Sequence, residues 1–113
     1  MNDDEIRART RAAIMAVWAT NRGLYAERAS ALSRTAEAAR TAGLSPEARA
    51  EAADHAHKVA GAVGTFGYHE ASRAAKAIER LLKGDAPLTP EQAQAFVALA
   101  TELKARLAAE PEA

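Results

Sequence analysis

Residues 56–68 have the sequence AHKVAGAVGTFGY, and this stretch decides the fold class. Its apolar residues Ala56, Val59 and Val63 recur at steps of three and four, which is the spacing of one face of an α-helix. The same spacing continues outward in both directions between short breaks that contain glycine or proline, and no strand-like alternation interrupts it. The chain is therefore predicted to be all-α.

Helix-start signals and glycine breaks divide the chain into four predicted helices. Asn2 is a candidate N-cap of the first helix, Ser45 followed by Pro46 opens the second, and Thr89 with Gln92 forms a capping box for the fourth. Glycines end the first three helices. The predicted helices span about residues 3–42, 46–64, 68–83 and 90–109.

The first helix is much longer than the others. Gly23 costs about 1 kcal/mol relative to Ala inside a helix, but the apolar stripe keeps its phase across it, which favours one long helix; a bend at residues 21–23 is the alternative. The stripe predicted to face the core contains Ile14, Val17, Trp18, Leu24, Tyr25, Ala31, Leu32, Ala38 and Ala39.

Short connections place neighbouring helices antiparallel, and four apolar stripes can cover one another only around a common axis. The prediction is one domain over residues 1–113, an antiparallel up-down four-helix bundle with a long N-terminal helix that extends beyond it. Trp18 and Tyr25, seven residues apart, are predicted to anchor its core or rim.

Composition and charge exclude several function classes. Lys plus Arg and Asp plus Glu number 15 each, so no basic surplus favours nucleic acid. No uncharged apolar run approaches the ~20 residues of a membrane helix, and the charged N-terminus does not resemble a signal peptide. We therefore expect a cytoplasmic protein without nucleic-acid or membrane partners, and the absence of Cys agrees with a reducing compartment.

The candidate functional residue is His57. On a helical wheel of about 100° per residue it lies at the margin of the buried side and faces solvent. Gly61 and Gly64 share its face, although each weakens a helix by roughly 1 kcal/mol relative to Ala. Small neighbours let another protein approach the ring, and a neutral imidazole can carry a group covalently and release it to the next acceptor.

The segment resembles the signature of histidine-containing phosphotransfer (HPt) domains, A-H-x-apolar-Lys-G-x-x-G-x-x-G. The residues in register are Ala56, His57, Val59, Gly61, Gly64 and Gly67. The long first helix and the final amphipathic helix also resemble that family. The resemblance implies an antiparallel four-helix bundle with His57 as the phosphorylated residue, and a phosphoryl carrier without autonomous kinase activity.

The same resemblance implies the partners: receiver domains of response regulators or hybrid kinases, and a sensor histidine kinase. We expect no cofactor in this chain and any Mg²⁺ on the partner receiver, because no carboxylates cluster near His57. The chain is expected to be a monomer.

One departure concerns positive charge near the histidine. Many HPt domains have Lys three residues after the histidine, where this chain has Ala60; Lys58 lies one residue from His57, about 100° around the helix. The negative charge of a phosphoryl group on His57 would then be compensated by Lys58, by Arg73 or Lys76 on the third helix, or by the partner alone. Glu79 occupies the place from which family members often orient the ring through its other nitrogen.

Two other functions remain alternatives. The chain could be a helical docking module for receiver or kinase domains that is never phosphorylated, as Ala60 would suggest, or an autonomous histidine kinase, which the lack of an ATP-binding domain disfavours. Of the other histidines, His55 points about 200° away from His57 and is expected to be structural or to lie at the solvated boundary of the core. His69 is expected to be a helix-start or surface residue.

Overall fold

The computed structural model describes residues 1–111, and the last two residues of the predicted domain lie outside this part. The described residues contain no β-strand. They form four helices: α1 (Asp3–Thr41), α2 (Pro46–Thr65), α3 (His69–Leu81) and α4 (Pro90–Ala108). The predicted all-α class is confirmed.

Side-chain caps begin three of the four helices at the predicted residues. Asn2 and Ser45 each accept a hydrogen bond from the backbone N–H three residues later. Thr89 and Gln92 cap each other's backbone in a complete capping box. Each cap satisfies an N–H that has no partner within the helix, which fixes where α1, α2 and α4 start.

The turn after α2 is a Schellman motif centred on Gly67. The Tyr68 N–H donates to the Val63 carbonyl at 3.0 Å, and the Gly67 N–H donates to the Gly64 carbonyl at 3.2 Å. Gly67 has φ +90°, a conformation that is strained for residues with a Cβ. The motif ends α2 one residue later than the predicted residue 64.

The third helix is shorter than the predicted range 68–83. Leu82 is its C-cap, and Gly84 leaves the helical conformation with φ +90°. The Arg49 guanidinium of α2 donates to the carbonyl oxygens of Leu82, Lys83 and Ala86 at 2.9, 3.3 and 2.7 Å. Arg49 therefore holds the α3–α4 connection against the beginning of α2.

Each helix packs against two neighbours, with α1 and α3 both contacting α2 and α4. Consecutive helices run antiparallel, as predicted. The core contains many alanines, which allow close helix packing. Its largest fully buried side chains are Tyr68, Phe96, Leu32, Ile78, Leu103, Val59 and Val63.

The continuous helix α1 sets the length of the molecule, which measures 57 × 21 × 21 Å. It passes through Gly23 without interruption, so the predicted long helix is correct. At about 1.5 Å per residue its 39 residues exceed the 20 of α2 by roughly 28 Å. Residues 1–14 are all exposed, and the predicted extension beyond the bundle is confirmed.

Part of the predicted core stripe of α1 is wrong. Ile14, Val17 and Leu24 are exposed, as is Ala38. The buried residues of this helix are Trp18, Ala29, Leu32 and Ala36. Val17 and Leu24 precede the inward-facing aromatic positions by one residue, about 100° around the helix, and Ile14 lies beyond the bundle end.

Aromatic residues close the bundle end from which α1 extends. The ring of Trp18 lies 5.8, 5.0 and 5.1 Å from the rings of Tyr25, Phe66 and Tyr68. Trp18 Nε1 donates to the Tyr68 hydroxyl, which donates to the Ala109 carbonyl. Trp18 and Tyr25 therefore serve as the predicted anchors. No helix in the described part of the chain is long and apolar enough to cross a membrane.

Candidate functional site

His57 lies near the middle of α2, at the margin of its core side, about 100° around the helix from the buried Ala56. Ala56, Val59 and Val63 are fully buried, whereas 73% of the His57 side chain is exposed. The ring faces solvent, as the helical spacing predicts. A protein partner can therefore reach it without displacing any part of the bundle.

Glu79 of α3 orients the His57 ring. Its Oε2 atom lies 3.0 Å from His57 Nδ1, and 28% of its side chain is exposed. In a neutral imidazole whose Nδ1 carries the proton, Nδ1–H donates to the carboxylate and Nε2 keeps a free lone pair. The Glu79 contact therefore fixes which nitrogen faces away from α3.

The three glycines after His57 occupy three different environments. A Cβ on Gly61 would meet no heavy atom within 4 Å, so this position is open surface. A Cβ on Gly64 would lie 3.3 Å from Ser72 Oγ of α3, so its missing methyl allows close packing of α2 against α3. Gly67 is needed for its positive φ. Gly61 and Gly64 were both predicted to leave room for a partner protein beside His57, but only Gly61 borders open space.

The position of the lysine found in many HPt domains faces inward in this chain. Ala60 is only 6% exposed, and its carbonyl accepts a hydrogen bond from Ser72 Oγ at 2.9 Å. Ser72 is the buried polar residue of α3 that connects to α2 next to the site. Ser72 was not among the residues predicted for the site; the available signal was a serine within the apolar stripe of α3.

The three candidate cations differ in their partners. Lys58 Nζ forms an ion pair with Asp54 Oδ2 at 2.9 Å, and Arg73 forms one with Glu70 at 2.9 Å. Lys76 is exposed and has no ion-pair partner among residues 1–111. Lys76 lies three residues, about one helical turn, before Glu79 on α3.

Asp54 is a second residue near the site that was not predicted from the sequence. The hydrogen bond from Lys58 holds the pKa of the Asp54 carboxyl below its ordinary value, although desolvation opposes this, and the charge of Arg28 adds to the lowering. The i, i+4 spacing of the pair was visible in the sequence. Lys58 is thus already engaged beside the unmodified histidine.

The other two histidines lie apart from His57. His55 Nδ1 lies 3.0 Å from Arg28 Nη1 of α1, and its Nε2 lies 3.7 Å from Glu51. His69 is the exposed first residue of α3. Within residues 1–111, no three His, Asp or Glu side chains are grouped as a metal site would require.

Comparison with known families identifies the class of protein. The Hpt domain family matches residues 22–109, which include all of α2, α3 and α4. The chain therefore belongs to the Hpt domain family. Hpt domains are phosphoryl carriers, so the family implies a histidine phosphotransfer role in a phosphorelay with receiver-domain partners. No curated protein and no solved structure matches the chain.

Proposed function

We propose that His57 accepts a phosphoryl group on Nε2 and exchanges it with aspartates of receiver domains. The observation that carries this proposal is the exposed ring held through Nδ1 by Glu79. Phosphoryl transfer mainly needs in-line positioning and charge stabilisation, and a fixed ring that projects into solvent supplies the positioning.

In the forward step the Nε2 lone pair attacks the phosphorus of a receiver aspartyl phosphate. The P–O bond to the aspartate breaks, the carboxylate leaves with the electron pair, and a P–N bond forms. The ring gains positive charge, which the Glu79 carboxylate stabilises across the 3.0 Å contact. The reverse step returns the phosphoryl group to a second aspartate and regenerates the free imidazole.

The partner is expected to supply the metal ion. A Mg²⁺ held by the receiver would neutralise the phosphoryl oxygens during transfer. From this chain, Lys76 and Lys58 are the candidate cations, and Lys58 must first leave Asp54.

We also propose that a receiver docked at His57 extends across α2 to Leu24, an exposed apolar residue of α1. It lies four residues before Arg28, which contacts His55 of α2, so Leu24 is on the α2 side of α1. It is 49% exposed. We define the docking surface as Leu24, His57 and Gly61; its apolar part would be covered by the receiver.

A non-phosphorylated docking module is the alternative, because Ala60 supplies no charge and Lys58 is engaged by Asp54. This function predicts receiver binding without transfer. It uses the same docking surface and differs only in the chemistry at His57.

The test is incubation with a phosphorylated receiver or with phosphoramidate, followed by measurement of acid-labile phosphate. We expect His57→Gln to remove the label and the exposed control His69→Gln to retain it. Receiver binding without any labelling would favour the docking module. Labelling of the isolated chain from ATP would instead indicate an autonomous kinase.

A further inference from the structure

We propose that Ser72 of α3 is a positioning residue for His57, and that it acts by fixing where Glu79 meets the imidazole ring. The Ser72 hydroxyl donates a hydrogen bond to the Ala60 carbonyl of α2 at 2.9 Å. This role rests on the proposed phosphotransfer function and adds to it a residue that does not itself contact the phosphoryl group.

The Ser72 hydroxyl is buried in the contact between α2 and α3. Only 7% of Ser72 is exposed, and Ala60, which supplies the acceptor, is also buried. Burial of a hydroxyl costs free energy unless the group is hydrogen-bonded, so positions of α3 that break this bond are disfavoured. A buried, directional bond of this kind specifies how two helices sit on each other.

The side chains around this bond are too small to fix the position of α3 by their shape. A Cβ added to Gly64 would lie 3.3 Å from Ser72 Oγ, so the two helices approach closely here. Ala75, about one turn after Ser72 on the same side of α3, is fully buried and has only a methyl group. Because such residues interdigitate little, α3 would rotate on α2 more easily without the hydrogen bond.

Ser72 and Glu79 lie on the same side of α3. They are seven residues apart, which is close to two helical turns, and each forms a hydrogen bond with α2. Rotation of α3 about its axis would therefore move both contacts together. Side chains extend about 6 Å from a helix axis, so a rotation of about 5° would move the Glu79 carboxylate by about 0.5 Å. The 3.0 Å contact with His57 Nδ1 would then reach the outer limit of a hydrogen bond.

The other side-chain contacts of α3 with its neighbours lie at its two ends. Arg49 donates to the carbonyl oxygens of residues 82, 83 and 86, all of which follow Leu81, the last residue of α3. Tyr68, just before α3, donates to the Ala109 carbonyl after α4. These contacts hold the ends of the helix, whereas Ser72 bonds α2 from within α3, on the side that contains Glu79.

The experiment compares the wild-type chain with Ser72→Ala, Glu79→Ala and the double variant. The rate of label uptake from a phosphorylated receiver is measured for each. We expect Ser72→Ala to be about fivefold slower than wild type, which corresponds to the loss of one hydrogen bond. The double variant should be no slower than Glu79→Ala alone, because a residue that acts through Glu79 has no further effect once Glu79 is absent.

Nitrogen-15 NMR of the His57 ring is the readout that a purely structural role would not change. At a pH where the ring is neutral, the wild-type proton should reside on Nδ1, and Ser72→Ala should shift the tautomer balance toward that of Glu79→Ala. The control Ala100→Gly weakens the fully buried part of α4, which packs against α1 and α3. It should lower the urea midpoint and leave the transfer rate and the tautomer balance unchanged.

Two results would overturn the positioning role of Ser72. One is a double variant in which the two substitutions slow transfer by the product of their separate factors, and the other is an unchanged tautomer balance in Ser72→Ala. The tautomer measurement uses no phosphoryl donor, so it decides this role separately from the proposed function. A wild-type chain that took up no label from receivers or phosphoramidate would instead refute phosphotransfer itself.

Discussion

The Glu79 carboxylate lies 3.0 Å from Nδ1 of His57 and joins α3 to the ring that projects from α2. Because only one of its oxygens makes the contact, the interaction sets the direction of the ring without enclosing it. A positioning role of this kind can be tested separately from the identity of the phosphorylated residue.

Replacement of Glu79 should slow phosphorylation of His57 without abolishing it. Loss of a hydrogen bond to a charged group costs about 1.5 kcal/mol or more, so Glu79→Ala should reduce the rate of phosphoryl transfer roughly tenfold. Glu79→Gln keeps an acceptor oxygen and should lie between Ala and wild type. The rate of label uptake from a phosphorylated receiver measures this, with Glu91→Ala on α4 as the control. Equal rates in all four proteins would refute the positioning role.

The ion pair beside His57 should be visible in the titration of Asp54. The Lys58 hydrogen bond lowers the pKa of the Asp54 carboxyl, so Lys58→Ala should return that pKa toward its ordinary value. Since the folded-state pKa is depressed, the stabilising contribution of Asp54 is present above its unfolded-state pKa and lost as pH falls through the lowered value. The Asp54 carboxyl chemical shift, followed by NMR between pH 2 and 6, would give its titration in the wild type and in Lys58→Ala. An unchanged midpoint in Lys58→Ala would contradict the conclusion that Lys58 lowers the pKa of Asp54.

Release of Lys58 should stabilise the phosphorylated form. Asp54→Asn removes a negative charge three residues from His57 and frees the ammonium for the phosphoryl oxygens, so phosphohistidine should hydrolyse more slowly than in wild type. Lys58→Ala and Lys76→Ala should each accelerate hydrolysis of phosphohistidine, because each removes an ammonium group that would stabilise the phosphoryl oxygens. The loss of acid-labile phosphate over time measures all three, with Lys104→Ala as the control. Faster hydrolysis in Asp54→Asn would show that Lys58 does not compensate the phosphoryl charge.

Substitutions at Gly61 and Gly64 should affect stability and phosphoryl transfer differently. Gly61→Ala enters open space on a helix, so it should raise the free energy of unfolding by up to about 1 kcal/mol while slowing transfer from a receiver. Gly64→Ala meets Ser72 Oγ and should gain less stability, or lose some, unless Ser72→Ala is added. Urea unfolding combined with the transfer assay gives both quantities. Unchanged transfer in Gly61→Ala would exclude this position from the docking surface.

Leu24→Asp should impair exchange with the receiver and leave the fold intact. The side chain is half exposed, so the substitution disturbs little of the core, but it places a charge in the apolar part of the docking surface. We expect at least about a tenfold weaker receiver affinity, by calorimetry, with phosphoramidate labelling unchanged. Ala98→Asp, exposed on α4, is the control. Parallel loss of phosphoramidate labelling would mean that Leu24 acts on the fold instead.

The sequence was sufficient to predict where a helix begins when a capping residue marks its start. Asn2, Ser45 and the Thr89 capping box mark starts that the structure reproduces, because these caps depend on residues only three positions apart. The end of α3 was less predictable, since it depends on Arg49, a residue of another helix.

The features that the sequence did not predict depend on how the helices pack against one another. The exposure of Val17 and Leu24 follows from which side of α1 meets the other helices, and a broad apolar stripe does not specify that side. The contact of Ser72 with Ala60, and its closeness to Gly64, depend on how α2 and α3 pack. The helical spacing and the glycines were enough to select His57, whereas Glu79 was found only through the family resemblance, which carries long-range information that periodicity lacks.

The aromatic cluster at the bundle end gives the molecule a built-in optical probe. Trp18 is the only tryptophan, it is almost fully buried, and its contacts join α1 to the turn after α2. Its emission should shift to longer wavelength when α1 separates from the other helices. Because Trp18 is on a different helix from the exposed imidazole, that fluorescence would report on folding independently of the phosphorylation state.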